Sequence, residues 1–399
     1  MTAIDTSAER TRWGMVALGF AAGVAGMFQT AKMSVALVEV QRDIGLDLVA
    51  ASWTTTAVSL TGALFGVVAG RIVGVFGAAR TLVAALLLGA IAGVATALIA
   101  APGPFLAARI VEGLGYLLIC TAAPTAMAAA AAPRDRGTAL AIWGAFVPVS
   151  VSIMAMTGPA ATAAWGWRTM FLISAASLVA VAAVVAAVAP RDPPVGRGIG
   201  RRLGEIAAAA PAVHLSLYRS ARSLGLGVAF MAFAALQVGL IALLPTHLIE
   251  VGGLSPATAG LVLSATAPFA VLGTLLAGVM QRVGAADAPA TAVAFAVMAL
   301  SGGAAFAGLS DPWLLGPVGA VFFTAGGVVG SVIFASLPRR STGGDVALMS
   351  GLIVQFGNVG SLTGAPILAA TVETVGWGGV PWAVAAMAGV GIAGTLAAR

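Results

Sequence analysis

The sequence predicts an all-α polytopic membrane protein with twelve transmembrane helices, arranged as two pseudo-symmetric six-helix bundles. Three observations support this fold class: the apolar composition, apolar runs of the length that a bilayer requires, and arginines confined to short connections. Of the 399 residues, 60% are hydrophobic and 9% are charged, whereas soluble domains carry about 25% charged residues. With a mean hydropathy of +1.04, this composition excludes an ordinary soluble fold.

Apolar runs define the individual spans, because a bilayer core needs about 20 apolar residues per helix. Breaks at charges and Gly/Pro clusters give a first set of six spans at 13–39, 49–75, 79–100, 103–131, 137–163 and 167–189. A second set follows at 221–250, 254–281, 287–308, 312–337, 344–372 and 377–398. The first run is too long for the apolar region of a signal peptide, so we expect it to be a retained span.

Basic residues predict the orientation of the spans. If the amino terminus is cytoplasmic, the inner side collects sixteen arginines: Arg10, Arg12, Arg71, Arg80, Arg134, Arg136, Arg191, Arg197, Arg201, Arg202, Arg219, Arg222, Arg282, Arg339, Arg340 and Arg399. The outer side keeps only Arg42 and Arg168. The positive-inside rule therefore predicts that both termini are cytoplasmic. Arginine replaces lysine almost everywhere, which is typical of a GC-rich bacterial genome, and we expect a bacterial inner membrane.

Several functional classes find no support in the residues. Cys120 is the only cysteine, which excludes an intramolecular disulfide and a cysteine-based metal site. His214 and His247 lie far apart, so we expect no metal site. The arginines lie in short loops rather than on one patch, so we expect no nucleic-acid partner. No P-loop and no catalytic set is present, and we expect no cofactor and no enzymatic activity.

The two halves of the chain resemble each other when one is displaced by 207 positions. "GAAR" (77–80) then falls on "GAAD" (284–287), and Pro159 falls on Pro366. One long hydrophilic break separates the halves and begins "PRDPPVGRGIGRR". The predicted organisation is an N-terminal bundle over 1–189, a cytoplasmic linker over 190–220 and a C-terminal bundle over 221–399. Parallel repeats of six spans are what transporters use to alternate access.

Four stretches point to one family. They are "GALFGVVAGRIVGVFGAAR" (62–80), "RIVEGLG" (109–115), "PRDRG" (133–137) and "GWRTMF" (166–171). In these stretches and over essentially its whole length, the chain resembles the major facilitator superfamily. The resemblance implies two bundles that rock against each other, with spans one, four, seven and ten around a central cavity. Within that family it is more similar to small-anion, cyanate-type or organic-acid permeases than to drug antiporters.

The first of these stretches is similar to the family's loop between helices two and three, normally Gly-x-x-x-Asp-Arg-x-Gly-Arg-Arg/Lys. Gly74 stands where the family has aspartate, and Gln281 takes that position in the second copy. This departure alters the charge relay of the family's cytoplasmic latch. The resemblance implies a cytoplasmic gate that includes Gly70, Gly77, Arg80, Arg282 and Gly284.

The fifth span bears on the direction of transport. Family members that export drugs against protons usually carry a glycine-spaced pattern that ends Gly-Pro-x-x-Gly-Gly. Gly158 and Pro159 are present, but Ala160, Ala161 and Thr162 follow them. This difference is an argument against the drug-antiporter branch.

Charged residues inside the spans are few, and each costs about 2.5–3.5 kcal/mol at mid-helix on insertion scales. They are Lys32 and Glu39 in the first span and Arg109 and Glu112 in the fourth, with Glu39 near the outer mouth. At 100° per residue, Arg109, Glu112 and Tyr116 share one stripe of their helix. Lys32 lies at a matching depth, so we expect the three charges to meet in the central cavity.

Two interpretations of this cluster stay open. In one, Arg109 and Glu112 form a structural ion pair that cancels buried charge. In the other, Lys32 and Arg109 bind an anionic substrate and Glu112 is the proton-coupling carboxylate, whose protonation raises the local charge from +1 to +2. Desolvation raises a carboxylate pKa and adjacent cations lower it, so the sequence does not decide the ionisation state.

Other intramembrane polar groups are candidate substrate contacts. Gln29 shares a helix face with Lys32, and Tyr116 continues the stripe of the fourth span. Gln237 in the seventh span, and Gln355 with Asn358 in the eleventh, are either cavity-facing groups or interhelical hydrogen-bonding residues.

The predicted function is secondary active transport of a small solute. We expect a proton-coupled importer of a small organic or inorganic anion, working as a monomer in the lipid bilayer. The alternative is a proton-coupled efflux pump for lipophilic drugs or metabolites, because the second half of the cavity is apolar. A non-transporting membrane receptor is a third possibility, against which the lack of a soluble output domain counts.

Overall fold

A computed structural model of the chain describes residues 10–46, 48–190, 192, 198–307, 311–340 and 345–399. Arg191 and Arg197, which the orientation argument used, lie outside the described residues. The described chain is helical and contains no β-strand. Backbone polar groups in a bilayer have no water to bond, and helices satisfy them within each segment.

Fourteen helices follow one another in the described part of the chain. They are α1 (Trp13–Ile44), α2 (Leu48–Phe76), α3 (Ala78–Leu98), α4 (Pro102–Ala130), α5 (Arg136–Trp143), α6 (Phe146–Val188), α7 (Ile199–Arg219), α8 (Ala221–Glu250), α9 (Pro256–Thr266), α10 (Ala270–Arg282), α11 (Asp287–Ala305), α12 (Pro312–Arg340), α13 (Val346–Val375) and α14 (Val380–Ala397). A single 3₁₀ turn at Ala267–Phe269, which contains Pro268, joins α9 to α10 within one predicted span.

Eleven helical segments of the described residues are long and apolar enough to cross a membrane. One of them, Arg136–Val188, has 53 residues, or about 80 Å of helix against a bilayer core of about 30 Å. Gly166 breaks it with a φ of 78°, at the junction predicted between the fifth and sixth spans. Counting the two parts gives twelve crossings, and the predicted fold class is confirmed.

Glycines with positive φ end corresponding segments in the two halves. Gly77 (φ 92°) and Gly284 (φ 71°) each precede the third span of their half and lie 207 positions apart. Gly166 (φ 78°) and Gly376 (φ 82°) each precede the sixth. Only glycine adopts this backbone region at no steric cost. The turns therefore recur at corresponding places in the two halves, 207 positions apart in the first pair and 210 in the second.

Helix α7 forms inside the stretch that the sequence analysis treated only as a hydrophilic linker. Its apolar residues recur on one face, where Ile206 and Leu217 are buried against the rest of the protein. On the same face, Ile199 and Leu203 are 61% and 44% exposed. An amphipathic helix with this pattern is typical of one lying in a membrane interface.

Candidate functional site

Three charged side chains meet in the first half of the chain, as the stripe of α4 and the depth of Lys32 suggested. Lys32 Nζ lies 2.7 Å from Glu112 Oε1. Arg109 Nη1 donates to the second carboxylate oxygen of Glu112, one turn away on the same helix. The exposed fractions of Lys32, Arg109 and Glu112 are 0%, 0% and 1%. Glu112 therefore binds two cations at once, away from solvent and lipid.

The neighbouring polar groups complete the coordination of this cluster. Lys32 Nζ donates to Gln29 Oε1 at 2.7 Å, and Thr96 Oγ1 donates to Glu112 Oε1 at 3.1 Å. Arg109 donates to the backbone oxygens of Thr54 and Gln29 at 2.9 and 2.8 Å. A buried ion pair is stable only when such additional hydrogen bonds offset the desolvation of its charges. The predicted polar residue Gln29 thus positions Lys32.

The site lies inside the first half rather than in a cavity between the halves, which corrects the expected placement. Gln29 Nε2 donates to Ser174 O of α6 at 3.0 Å, and Lys32 Nζ lies 4.4 Å from the Phe171 ring centre. Thr96 belongs to α3. The third and sixth spans are not among those that the resemblance places around the cavity. The cluster lies within the first half because α3 and α6 supply the oxygen atoms and the aromatic ring that stabilise its buried charges.

Two glycines of α4 allow this packing. A Cβ at Gly113 would lie 2.7 Å from Thr61 Oγ1 of α2, and a Cβ at Gly115 would lie 2.9 Å from Gly89 N of α3. On α3, a Cβ at Gly93 would approach Gln29 Oε1 to 3.0 Å. Small residues let helices approach closely. Here they allow α1, α2 and α3 to pack against α4 around the charged cluster.

One donor of the cluster stays unused. Arg109 Nη2 is buried and has no hydrogen-bond partner among the described residues. Tyr116 does not fill this role, because its hydroxyl donates to Met27 Sδ at 3.3 Å instead. Tyr116 thus shares the α4 stripe but contacts α1 one turn away from the charges.

Gln355 and Asn358 lie where the two halves of the chain touch. Gln355 Oε1 accepts from Val67 N of α2 at 3.3 Å. Asn358 donates to Val354 O on its own helix, and its Nδ2 would lie 2.2 Å from a Cβ at Gly62 of α2. These contacts favour the interhelical interpretation of both residues over direct substrate contact.

A glycine series on α2 makes that contact possible. A Cβ at Gly66 would lie 2.5 Å from Gly351 O of α13, and a Cβ at Gly351 would lie 2.3 Å from Gly66 O. A Cβ at Gly70 would lie 2.6 Å from Ala347 O. The predicted gate residue Gly70 therefore belongs to a backbone-to-backbone crossing of α2 and α13.

A second contact between the halves joins α5 to α12. A Cβ at Gly144 would lie 2.2 Å from Ser331 Oγ, and Ser331 Oγ donates to Thr274 Oγ1 at 2.9 Å. Nearer the start of α5, a Cβ at Gly137 would lie 2.9 Å from Gln281 Oε1. These approaches lie between mid-span and the face predicted to be cytoplasmic, so the halves are closed together there.

Aromatic side chains form a row across this contact, which the sequence analysis missed. Trp143 stacks on Phe146 at 4.2 Å between ring centres and meets Phe334 of α12 at 6.3 Å. Phe334 continues to Phe230 at 5.4 Å, and Phe230 continues to Phe233 at 5.3 Å. The sequence did carry a signal for this row, namely two pairs of aromatic residues spaced three apart, at 143/146 and 230/233. We call these five residues the aromatic row.

Two polar groups border the aromatic row. Trp143 Nε1 is buried and has no hydrogen-bond partner among the described residues. Gln237 lies one turn beyond Phe233 on α8, and its Nε2 would lie 2.7 Å from a Cβ at Gly326 of α12. The predicted candidate Gln237 thus lies between the seventh and tenth spans, beside half-buried aromatic rings.

The gate of the first half contains a carboxylate that the sequence analysis did not assign. Asp192 Oδ2 accepts from Arg80 N at 2.6 Å at the start of α3, and Arg80 Nη2 donates to Asp192 O at 3.3 Å. A Cβ at Gly77 would lie 2.2 Å from Asp192 Cγ. An anion at a helix N-terminus is stabilising. Asp192 therefore supplies, from the linker, a carboxylate near the loop where Gly74 replaces the family's aspartate.

Replacing Asp192 by alanine is expected to release the linker from α3 and to lower stability by roughly 0.5–2 kcal/mol, as losing a helix cap does. Hydrogen exchange at the first turn of α3 measures this. Asp345→Ala provides the comparison, since Asp345 caps α13 through Leu348 N in the other half. Faster exchange at α3 must appear in the Asp192 variant alone, and unchanged exchange there would contradict the assignment.

In the second half Arg339, rather than the predicted gate residue Arg282, joins α12 to Gln281 and Asp287. Arg339 Nη2 lies 2.7 Å from Asp287 Oδ2 and 2.9 Å from Gln281 Oε1. Arg282 is exposed and has no ion pair or hydrogen bond among the described residues. Adjacent residues on a helix point about 100° apart, so when Gln281 faces α12, Arg282 faces away. The predicted Gly284 provides a positive-φ turn and no close approach.

Metal-ligating side chains form no cluster in the part of the chain that the structure describes. No group of three or more His, Cys, Asp or Glu side chains is arranged to hold a metal ion there. His247 is 2% exposed and packs between Phe306 and Trp377, with ring centres 5.3 and 4.8 Å away.

Comparison with known families gives one match across most of the chain. The family model described as Major Facilitator Superfamily matches residues 18–342. The puromycin resistance protein pur8 of Streptomyces alboniger is 27% identical over 194 residues, which are 48% of this chain and 38% of that protein. A probable actinorhodin transporter of Streptomyces coelicolor is 26% identical over 328 residues, which are 67% of this chain and 55% of that protein. The matched region spans about half, or less, of each relative.

Solved structures show the same fold. The proton:xylose symporter XylE gives a TM-score of 0.73 at 17% identity, covering 96% of this chain and 94% of that one. FucP in the outward conformation gives 0.73 at 17% identity, with coverage of 96% and 98%. The human organic anion transporter MFSD10 gives 0.72 at 14% identity, with coverage of 97% and 98%. At these identities the likeness concerns the fold alone.

Proposed function

Because this chain belongs to the Major Facilitator Superfamily and is a multi-pass secondary transporter, we propose that it exports uncharged aromatic, lipophilic compounds in exchange for protons. The observation that carries the proposal is a separation of roles. Both intramembrane cations are buried inside the first half and bound by Glu112, while aromatic rings meet where α5 of the first half contacts α12 of the second. This corresponds to the alternative of the sequence analysis.

An anionic substrate needs a cation that it can reach. Lys32 and Arg109 are 0% exposed, and Lys32 donates to both Glu112 and Gln29. Reaching them would require breaking hydrogen bonds in a low-dielectric interior, where each lost charge partner is costly. We therefore assign Glu112 to proton coupling and propose that the cluster does not bind the transported solute.

The surface on which the halves separate favours a flat, apolar substrate. From 251 to 281 and from 312 to 338 the second half carries no charged residue. The half-buried rings of Phe230 and Phe233 lie beside Gln237. Aromatic side chains bind planar ligands by stacking, and the half-buried amide of Gln237 offers a hydrogen bond to a carbonyl group. A chamber of this kind selects for aromatic area with few polar groups.

The direction of transport is supported by the relatives. One is named for puromycin resistance and another for actinorhodin transport, and a resistance function requires outward movement of the compound. The departure of the fifth span from the exporter pattern stands against this. Transport is proposed to occur by rocking of the bundles 1–189 and 221–399, which separates α2 from α13 at their crossing, in a monomer with both termini in the cytoplasm of a bacterium.

Proteoliposomes containing the purified chain test the proposal. When the liposome interior is made acidic, we expect an uncharged aromatic probe such as N-phenylnaphthylamine to accumulate inside in exchange for protons. Cyanate or a monocarboxylate is expected to stay at the background level. Phe233→Ala is expected to raise the KM for the probe roughly two- to tenfold, whereas Trp382→Ala, at a ring that is 79% exposed, leaves it unchanged. Proton-driven accumulation of the anion without movement of the probe would overturn the proposal.

One observation keeps the import of a small anion as a second candidate. Arg109 Nη2 is a buried donor without a partner among the described residues, and the cluster of two cations and one carboxylate carries a net charge of +1. A small anion that reached this donor would be held by a charge-assisted hydrogen bond. The same proteoliposomes decide between the two candidates, since only one of the two solutes is expected to accumulate.

A further inference from the structure

A basic cavity lies outside the transport path, between the end of α2 and the start of α7. Its volume is about 470 Å³, and Arg71, Arg201 and Arg202 line it together with Glu205. This volume falls within the roughly 300–1,000 Å³ that is usual for ligand pockets. The three arginines and one carboxylate give the cavity a net charge of +2.

Most of this charge is unused by the protein itself. Arg201 Nε pairs with Glu205 Oε1 at 2.9 Å, which leaves the terminal nitrogens of Arg201 available. Arg71 and Arg202 form no ion pair or side-chain hydrogen bond among the described residues. Gly198 precedes α7 at the cavity, and no side chain of the described residues caps the N-terminus of that helix. Guanidinium groups and free helix N–H groups converge where an anion with several oxygens would bind.

The surroundings of the cavity are apolar on one side. Ile206 lines the cavity and is buried, while Ile199 and Leu203 lie on the same face of α7 and are exposed. Such side chains enter the boundary between headgroups and acyl chains when an amphipathic helix lies in the membrane interface. The cavity therefore lies at the level of the lipid headgroups, on the face predicted to be cytoplasmic, where anionic lipids attract basic residues.

We propose that the cavity formed by Arg71, Arg201 and Arg202 binds the phosphate headgroup of an anionic phospholipid. The phosphate accepts from Arg71 and Arg202 across the cavity, and the acyl chains follow Ile199 and Leu203 into the bilayer. Bound lipid joins the second span to the linker helix and so ties the linker to the first bundle. This proposal is independent of the transported solute.

Native mass spectrometry of the full chain in mild detergent, with added phosphatidylglycerol or phosphatidylcholine, tests the site. We expect phosphatidylglycerol to bind more tightly, and Arg71→Gln/Arg202→Gln to weaken that binding roughly tenfold or more. The matched control is Arg219→Gln/Arg222→Gln, which removes the same charge from exposed arginines at the end of α7 and the start of α8. Equal phosphatidylglycerol affinity in the two double variants would overturn the proposal.

A second comparison separates the lipid from free phosphate. Leu203→Asn leaves the arginines in place but removes an apolar side chain beside the cavity, so it is expected to weaken phosphatidylglycerol binding severalfold. Inorganic phosphate at millimolar concentration is expected to displace little of the lipid. Complete displacement by phosphate, with no effect of Leu203→Asn, would show a soluble anion site and contradict the lipid assignment. Melting temperatures of all variants confirm that they are folded.

Discussion

Glu112→Gln is expected to abolish proton-driven transport and to lower the free energy of unfolding by roughly 3–5 kcal/mol. Glutamine keeps the shape of the side chain but removes the one carboxylate among the described residues that contacts Lys32 and Arg109. Two cations that are 0% exposed would then face each other without a counter-charge. Thermal unfolding in detergent and transport in proteoliposomes with an imposed pH gradient measure the two effects.

Two further variants separate stability from coupling. Glu39→Gln removes an exposed carboxylate from the same first helix, and it should change neither property. Lys32→Met/Glu112→Gln removes one cation together with the carboxylate, so the net charge of the cluster returns to +1. We expect this double variant to recover most of the lost stability but no proton-driven transport. Recovered proton-driven transport would show that Glu112 is only the counter-ion of a structural pair.

Gly66→Val is expected to reduce transport more than tenfold by separating α2 from α13. A Cβ at this position would lie 2.5 Å from Gly351 O, and backbone cannot move aside as a flexible side chain does. Overpacking of this kind costs roughly 1–3 kcal/mol. Because the crossing exists only when the halves are closed together, that cost falls on the closed state and shifts the equilibrium between states about 5- to 150-fold.

Cysteine labelling reports this shift. Ser331 is 0% exposed at the contact of α5 with α12, and the sole native cysteine, Cys120, is buried. In a Cys120→Ala background, Ser331→Cys should react with a maleimide faster when Gly66 is replaced by valine. Gly74→Val is the matched control, since it lies two helical turns further along α2 and a Cβ there meets no atom within 4 Å. Equal labelling rates in both variants would contradict the gate role of this crossing.

Some contacts of the candidate site followed from the sequence because the bilayer constrains depth. A span has a fixed rise per residue and a fixed direction, so Lys32 on α1 and Glu112 on α4 were expected at one level. Their meeting needed one more fact, the 100° periodicity that puts Arg109 and Glu112 on one face. Both constraints act within single helices and do not depend on packing.

The partners of the cluster did not follow in the same way. Thr96 and Ser174 come from apolar helices that have no distinct polar face, so no periodicity marks the side that turns inward. The same limit explains the gate. Gln281 and Arg282 are neighbours in sequence, and only the rotation of α10 against α12 determines that Gln281, rather than Arg282, meets Arg339.

The sequence by itself determined the number of spans, the positions of their turns and the depth of each intramembrane charge, because bilayer thickness, helix rise and glycine's access to positive φ are local constraints. The tertiary structure alone decided which face of each helix meets which neighbour. In spans that are apolar all round, that choice depends on close packing at small residues such as Gly66, Gly93 and Gly351. For this reason the buried charges turned out to lie within one half, while glycine crossings and aromatic rings form the contact between the halves.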